Sequence, residues 1–282
     1  MSADRRRLKS YSRAAWRFDV VDTGPLDGEV IVLLHGFPQR ATEWAKVMRR
    51  LNIAGYRTIA PDQRGYSPGA RPRGRYAYRM SELSADVAEL IATIDAGPVH
   101  LVGHDWGASI SAVVAARYPE HVKSLTSISV PHPSAYVHSI LLSTQLARSW
   151  YFAFFQLPVI PEFVLTRLVK LREWALARTG MDSDMLECFA TEIIDGGALR
   201  GALAYYRGLP FVGRTPKVCV PTTHVWSSGE TLLVRRGATL NARYVQAPYE
   251  LAVLDGVSHW VPDHAPAALA DIVVARARSV AG

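Results

Sequence analysis

The segment with the clearest chemical potential is a short turn between two glycines. Residues 103–107 read Gly-His-Asp-Trp-Gly and follow an apolar run that begins at Val99. A strand, a sharp glycine-flanked turn and a helix form a context that exposes a nucleophile at the tip, where serine is usual. Here the tip is Asp105. Because a carboxylate forms an ester when it attacks carbon, the segment predicts covalent chemistry through Asp105.

Two later segments supply the side chains that would complete a catalytic triad. A strand end and a glycine turn precede His259, which we predict to be the base. A strand that runs into a loop precedes Glu230, which we predict to be the acid that orients the base. Asp255 is the alternative acid, but at a strand end just before His259 it is poorly placed to reach the imidazole. The expected triad is Asp105, Glu230 and His259.

An oxyanion site is expected after an earlier buried strand. The segment that begins at His35 reads His-Gly-Phe-Pro-Gln and lies where a strand passes into its next helix. We expect the backbone N–H groups of Phe37 and Trp106 to stabilise the oxyanion that forms when the ester is hydrolysed. We interpret His35 as a buried residue that orders this loop.

The elements that position these residues alternate between strands and helices. Several runs are too apolar for half-exposed strands, which indicates buried, parallel strands. The predicted strands are Glu29–Leu34, Arg57–Ala60, Val99–Val102, Leu125–Val130, Val218–Trp226 and Leu251–Leu254. Residues Met80–Ala96 lie between the second and third of these strands. Their apolar side chains form a single stripe, which predicts a helix that packs on one face of the sheet. The pattern predicts an α/β fold with a mostly parallel, doubly wound sheet.

One long stretch breaks this alternation. From about Pro133 to Pro216 the chain is rich in Leu, Phe, Tyr and Trp and shows helical character without a convincing strand. We predict a helical cap subdomain over residues 133–215, inserted into a core domain formed by residues 1–132 and 216–282.

Composition limits the class of protein. A chain of 282 residues with 49% apolar and 20% charged residues is typical of one enzyme-sized domain. Cys188 and Cys219 are too few and too far apart for a disulfide framework or a metal site. We expect both to be reduced, buried thiols, and we expect no metal.

Charge and hydropathy bear on partners. The net charge of +7 comes mainly from arginines spread along the chain, and Met1–Lys9 holds the one short basic cluster. We interpret these charges as a solvated surface and expect no nucleic-acid partner. No apolar run approaches the ~18 residues of a membrane span. We therefore expect a soluble, cytoplasmic protein without a membrane partner.

Together the motifs resemble the α/β-hydrolase superfamily, and specifically the epoxide hydrolases. The matching segments are His35–Pro38, Asp62–Ser67, Gly103–Gly107 and Ser258–Trp260, and the resemblance spans nearly the whole chain. Two cap segments that begin at Tyr151 and Tyr205 resemble those that carry the family's epoxide-polarising tyrosines, which places these roles on Tyr151 and Tyr206. The chain departs from the family in having Glu230, where aspartate is common.

The resemblance implies an α/β-hydrolase fold and a two-step reaction. An epoxide would be opened to a vicinal diol through a hydroxyalkyl ester on Asp105, and water activated by His259 and Glu230 would hydrolyse that ester. The implied partners are a small apolar epoxide and water, with no cofactor, a role in detoxification and a homodimer as one option. Expected substrate contacts are His104, Pro38, Phe154 and Phe155, with Phe163 and Trp174 in the same apolar cap pocket.

Two other functions stay open. A haloalkane or haloacid dehalogenase would share the aspartate nucleophile and could hold a halide with the indole of Trp106. Haloalkane dehalogenases, however, resemble one another in having asparagine where Phe37 stands. A ligand-binding protein without activity could also use this fold, although the intact triad argues against it.

Overall fold

The computed structural model describes residues 6–280 and contains one eight-stranded sheet. Arg5, part of the basic N-terminal cluster, lies outside the described residues. The strands are β1 (Ser10–Arg13), β2 (Trp16–Thr23), β3 (Val30–Leu34), β4 (Arg57–Pro61), β5 (Val99–His104), β6 (Val122–Ile128), β7 (Thr222–Ser227) and β8 (Tyr249–Leu254).

The sheet order is β1-β2-β4-β3-β5-β6-β7-β8. Strands β3 to β8 pair in parallel, whereas β1 pairs antiparallel with β2 and β2 pairs antiparallel with β4. The register aligns Leu34 with Gly103 and Gly103 with Ser127. The carboxyl ends of the central strands therefore meet at one edge, which is where open α/β sheets place their sites.

Some helices cover the two faces of this sheet and others form the insertion between β6 and β7. They are α1 (Ala45–Ile53), α2 (Met80–Ile94), α3 (Trp106–Arg117), α4 (Pro133–Leu142), α5 (Gln145–Arg148), α6 (Trp150–Gln156), α7 (Ile160–Arg167), α8 (Val169–Ala177), α9 (Ser183–Cys188), α10 (Leu199–Gly208), α11 (Arg235–Asn241), α12 (Val261–His264) and α13 (Pro266–Arg278). Successive residues of β3 face opposite sides, so Val32 packs with α2 and α3 while Ile31 packs with α1 and α13. The predicted doubly wound architecture is confirmed.

Helices α4 to α10 lie between β6 and β7 in the chain, as expected of a helical insertion. Phe189–Asp195 adds a π-helical turn after α9. The division of the chain at residues 132 and 216 stays a prediction. Among the described residues, no helix combines the length and the apolar character needed to cross a bilayer.

One pair of strands was missed by the sequence analysis, and two expectations about elements and thiols need correction. The hairpin of β1 and β2 was not predicted, because its half-exposed strands alternate apolar and polar residues and lack an apolar run. Strand β7 begins at Thr222, after Pro221, so Val218 makes only an isolated bridge to Val245. Cys188 and Cys219 are free thiols as expected, but both are exposed.

Candidate active site

Asp105 lies at the tip of the turn between β5 and α3. Its φ of 50° and ψ of −118° fall in a region that non-glycine residues rarely adopt, and such strain clusters at functional sites. A Cβ at Gly107 would lie 2.0 Å from the carbonyl oxygen of Leu34. At Gly103 it would lie 2.3 Å from the carbonyl oxygen of Gly107. The two glycines therefore allow α3 to approach β3 and β5 closely.

The two oxygens of the Asp105 carboxylate have different neighbours. Oδ1 accepts a hydrogen bond of 2.9 Å from the backbone N–H of Phe37. Oδ2 lies 3.7 Å from Nε2 of His259. Trp106 is the first residue of α3, so its N–H has no partner inside the helix and is available to a group at the tip. The two predicted oxyanion donors thus flank Asp105.

His259 is oriented by Glu230. Nδ1 of His259 lies 2.7 Å from Oε2 of Glu230, while Oε1 of Glu230 accepts hydrogen bonds from the N–H groups of Leu232 at 2.8 Å and Leu233 at 3.3 Å. Burial alone would raise the pKa of Glu230, but His259 and these N–H groups hold that pKa below its ordinary value. An ionised Glu230 fixes the proton on Nδ1 and leaves Nε2 to face Asp105.

The alternative acid lies elsewhere. Asp255 follows β8 and is exposed to solvent. Its position agrees with the sequence argument that a carboxylate at this strand end is poorly placed to reach the imidazole.

Tyr151 on α6 and Tyr206 on α10 approach each other, with ring centroids 6.0 Å apart. The ring of Tyr206 also meets the rings of Trp106 and Phe37 edge-on, each at 5.2 Å. Burial is the main cause that raises the pKa of both tyrosines well above the ordinary value, and the charge of Asp105 adds to it. Both phenols therefore stay protonated at neutral pH.

A single cavity of about 570 Å³ joins these groups. Its wall includes Asp105, Trp106, Tyr151, Tyr206 and His259. The remaining wall is mainly apolar and includes Met80, Val130, Phe152, Leu232 and Leu233. An apolar pocket with a few convergent polar groups suits a small apolar ligand.

Comparison with known proteins shows the family of the chain. A family model described as the alpha/beta hydrolase fold matches residues 29–173. Epoxide hydrolase 4 of Mus musculus is 31% identical over 265 residues, which cover 89% of this chain and 73% of that protein. The chain belongs to the epoxide hydrolase family of the α/β hydrolases.

Other similar proteins extend the match over the full fold. The AB hydrolase superfamily protein YfhM of Bacillus subtilis is 33% identical over 270 residues, which cover 90% of this chain and 92% of that protein. The crystal structure of an epoxide hydrolase from Vigna radiata superposes with a TM-score of 0.80 over 96% of this chain and 97% of that one. At 23% sequence identity, this superposition shows that the two proteins share a fold.

Several expected substrate contacts lie outside the cavity wall. Phe155 is buried and packs against Phe37 and Tyr206, while Phe154 lies beside Phe155 on α6. The turn of α6 instead directs Phe152, which the sequence did not single out, into the wall. Pro38 and His104 are buried away from the wall, and Phe163 and Trp174 are more than half exposed. These positions do not support the expected contacts of these residues with substrate in the pocket.

A buried pair behind the site was also missed. Nε2 of His104 lies 3.0 Å from the carbonyl oxygen of His259, and its Nδ1 lies 3.5 Å from Oε1 of Glu43. Burial works to lower the pKa of His104, but the Glu43 carboxylate raises it above its ordinary value. Glu43 falls in a short turn after the oxyanion loop, and no spacing in the sequence connects it with His104.

His35 has the supporting role that the sequence predicted. Its Nε2 accepts a hydrogen bond of 3.0 Å from the N–H of Gln63, and the Gln63 amide donates back to the His35 carbonyl at 2.6 Å. Burial lowers the pKa of His35 to about 4, so the ring is neutral at physiological pH. The imidazole ties the oxyanion loop to the loop that follows β4.

Proposed function

We propose that this member of the family hydrolyses an epoxide to a vicinal diol through a covalent hydroxyalkyl ester on Asp105. The observation that carries the proposal is that the Asp105 carboxylate, the Tyr151 and Tyr206 phenols and the His259 imidazole all border one cavity. An epoxide that fills this cavity would have a nucleophile and two acidic hydrogen-bond donors beside it.

In the first half-reaction, Oδ2 of Asp105 attacks an epoxide carbon. A carbon–oxygen bond to Asp105 forms while the strained carbon–oxygen bond of the epoxide breaks, and the electron pair of that bond moves to the ring oxygen. Tyr151 and Tyr206 donate hydrogen bonds to this oxygen, and one of them supplies its proton. Both phenols carry their protons at neutral pH, so both can donate hydrogen bonds to this oxygen as negative charge develops on it.

In the second half-reaction, His259 takes a proton from water and the hydroxide attacks the ester carbonyl carbon. The N–H of Phe37, which already contacts Oδ1, and the N–H of Trp106 stabilise the oxyanion. Collapse of this intermediate breaks the bond from the carbonyl carbon to the alkyl oxygen, the His259 imidazolium returns its proton to that oxygen, and the diol leaves. The proton on the regenerated Asp105 carboxyl returns to the tyrosinate of the first step. Asp105 keeps the oxygen from water, and Glu230 stabilises the imidazolium that forms.

The decisive experiment traps the ester. The His259→Gln variant, incubated with styrene oxide, should gain the mass of one substrate molecule on the peptide that contains Asp105, because alkylation needs no base whereas hydrolysis does. The matched control is the double variant Asp105→Asn and His259→Gln, which should stay unlabelled. If the wild-type enzyme forms diol but the His259→Gln variant stays unlabelled, the covalent scheme is refuted.

The products of the reaction distinguish an epoxide hydrolase from a dehalogenase and from a binding protein. The wild-type protein, incubated in parallel with styrene oxide and a bromoalkane, should form diol without releasing bromide. Trp106 in the cavity wall is the feature that would favour halide release, whereas the Tyr151 and Tyr206 phenols favour the epoxide. Bromide release without diol would identify a dehalogenase, and inactivity toward both would favour a binding protein.

A further inference from the structure

The insertion carries a row of exposed apolar side chains on α4, α5 and α6. We call this row the apolar strip and define it as Val137, Leu141, Leu142, Leu146 and Trp150. Each of these residues is between 54% and 74% exposed. Val137 and Leu141 are spaced by four residues within α4, which places both on one face of that helix, and Leu146 and Trp150 follow on the next two short helices. Several large apolar side chains exposed on successive helices are the kind of surface that marks an interaction site.

Positive charge surrounds the apolar strip. Residues 133–161 contain no aspartate or glutamate, and residues 209–249 contain only Glu230, which is buried beside His259. Helix α11 and the turn Ala242–Tyr244 both pack on α4. The exposed basic side chains of this region are Arg148, Arg214, Lys217, Arg235, Arg236 and Arg243.

These basic residues are not neutralised by the protein. Within residues 6–280, none of them forms an ion pair with a carboxylate. Arg148 binds the carbonyl oxygens of Thr231 and Leu233, which holds its side chain near the strip without cancelling its charge. The surface therefore combines apolar side chains with uncompensated positive charge.

The apolar strip also continues into the cavity. Val137 belongs to both, and His138, Ile140 and Arg214 join it in the cavity wall. Leu141, one residue beyond Ile140, is among the most exposed apolar side chains of the chain. The side of the cavity formed by α4 therefore borders the surface that carries the strip.

We propose that this surface binds the face of an anionic lipid bilayer, with the apolar strip in the headgroup and upper acyl region and the arginines against lipid phosphates. Leucine and tryptophan beside arginine are the combination that holds a helix in such an interface. The charge argues against a second copy of this chain as the occupant, because two such surfaces would bring the same positive side chains together.

This inference revises the sequence-based expectation that the protein has no membrane partner. That expectation rested on the lack of a spanning segment, and a surface contact does not need one. The cavity would then open beside the acyl region, so that an apolar molecule dissolved in the lipid could enter it along α4.

The test is flotation of the full chain with vesicles. Vesicles of phosphatidylcholine with about one third phosphatidylglycerol should bind the protein at low salt. Pure phosphatidylcholine vesicles should bind it at least about tenfold less, and high salt should release it, because screening weakens contacts with lipid phosphates. Equal binding to both vesicle types, or no binding to either, would overturn the proposal.

Variants locate the contact on the surface. Leu141→Ser combined with Leu146→Ser should reduce binding to the anionic vesicles by about tenfold or more, since two exposed leucines that would enter the bilayer are lost. Ile53→Ser is the matched control, because Ile53 is 83% exposed on α1, among the helices of the other sheet face. Far-ultraviolet circular dichroism confirms that each variant is folded. Equal losses in the two variants, or a dimer in solution that only the double variant dissociates, would contradict the assignment.

Discussion

The Asp105 carboxylate has one oxygen held by the Phe37 N–H and the other directed toward His259. A carboxylate with one oxygen anchored can attack with the second without losing its position. The attack produces an alkoxide, whose protonation needs a donor on the side of the cavity away from the base. Tyr151 and Tyr206 are two of the three phenols in the cavity wall and are protonated at neutral pH, whereas the hydroxyl of the third, Tyr136, is hydrogen-bonded with Ser149.

Removing either phenol should therefore slow ester formation and leave ester hydrolysis unaffected. We expect Tyr151→Phe and Tyr206→Phe each to reduce the rate of alkylation of Asp105 on the order of 10²-fold, the contribution typical of a positioned acid. The double variant should lose more than either single variant. Rapid quenching followed by mass measurement of the protein gives the rate of ester formation in one turnover.

The control for this pair is Tyr76→Phe, which removes a phenol that is more than half exposed at the surface. It should alkylate at the wild-type rate. If both cavity variants form the ester as fast as Tyr76→Phe does, the leaving oxygen receives its proton from another group.

Much of the site could be predicted at the level of single residues, because its members follow strand ends. The sequence itself contains three local signals: the glycines around Asp105, the glycine turn before His259 and the loop before Glu230. The Glu43 and His104 pair has no such signal. Its members come together only because the loop after β3 folds back beneath β5, which no local pattern reports.

At the scale of elements, the position of α10 depends on one close backbone approach. A Cβ at Gly201 would lie 2.3 Å from the carbonyl oxygen of Gly65. The next turns of the helix carry Tyr205, whose hydroxyl donates to the carbonyl of Arg64 at 2.7 Å, and then Tyr206. The helix that presents a phenol to the cavity is therefore seated directly on the loop after β4.

We expect Gly201→Ala to weaken both the fold and the reaction. The added methyl group must push α10 away from Gly65, which costs about 1–3 kcal/mol in the free energy of unfolding. The accompanying shift of Tyr206 should slow ester formation, because a displacement of about 1 Å can cost roughly 10²-fold. Urea unfolding and rapid-quench measurement test the two effects separately.

Arg200→Ala is the control, since it alters an exposed neighbour on the same helix. It should match the wild type in both measurements. A Gly201→Ala variant that is as stable and as fast as Arg200→Ala would show that α10 can move without consequence for the site.

The sequence predicts a strand most clearly when every residue of that strand is buried. Strands β3 and β5 are buried at every position, so continuous apolar runs reveal them. Strand β2 alternates between buried and exposed positions at the edge of the parallel sheet, where propensity gives a weaker signal. Likewise, the sequence predicts an aromatic α6 but does not specify which of its rings faces the cavity, because packing against α10 decides its rotation.

At the scale of the whole molecule, the fold buries several neutral histidines in different elements. Burial lowers the pKa of His35, of His132 and of His224 to about 4, against an ordinary value of 6.5. His35 lies in the oxyanion loop, His132 precedes α4, and His224 lies in β7 with its Nδ1 2.9 Å from Oγ of Ser127. Each one takes up a proton more readily in the unfolded chain than in the folded protein.

We expect the free energy of unfolding to fall as the pH drops from 6.5 to about 4. Above pH 6.5 both states leave these rings neutral, so their contribution to stability is complete, and below about 4 both states are protonated and the loss stops. Within that window each histidine contributes a slope of about 1.4 kcal/mol per pH unit. His224→Asn, which keeps a hydrogen-bonding group near Ser127, should reduce the slope measured by urea unfolding by about that amount. The partly exposed His121 supplies the control variant His121→Asn, and equal slopes in the two variants would show that His224 does not resist protonation in the folded sheet.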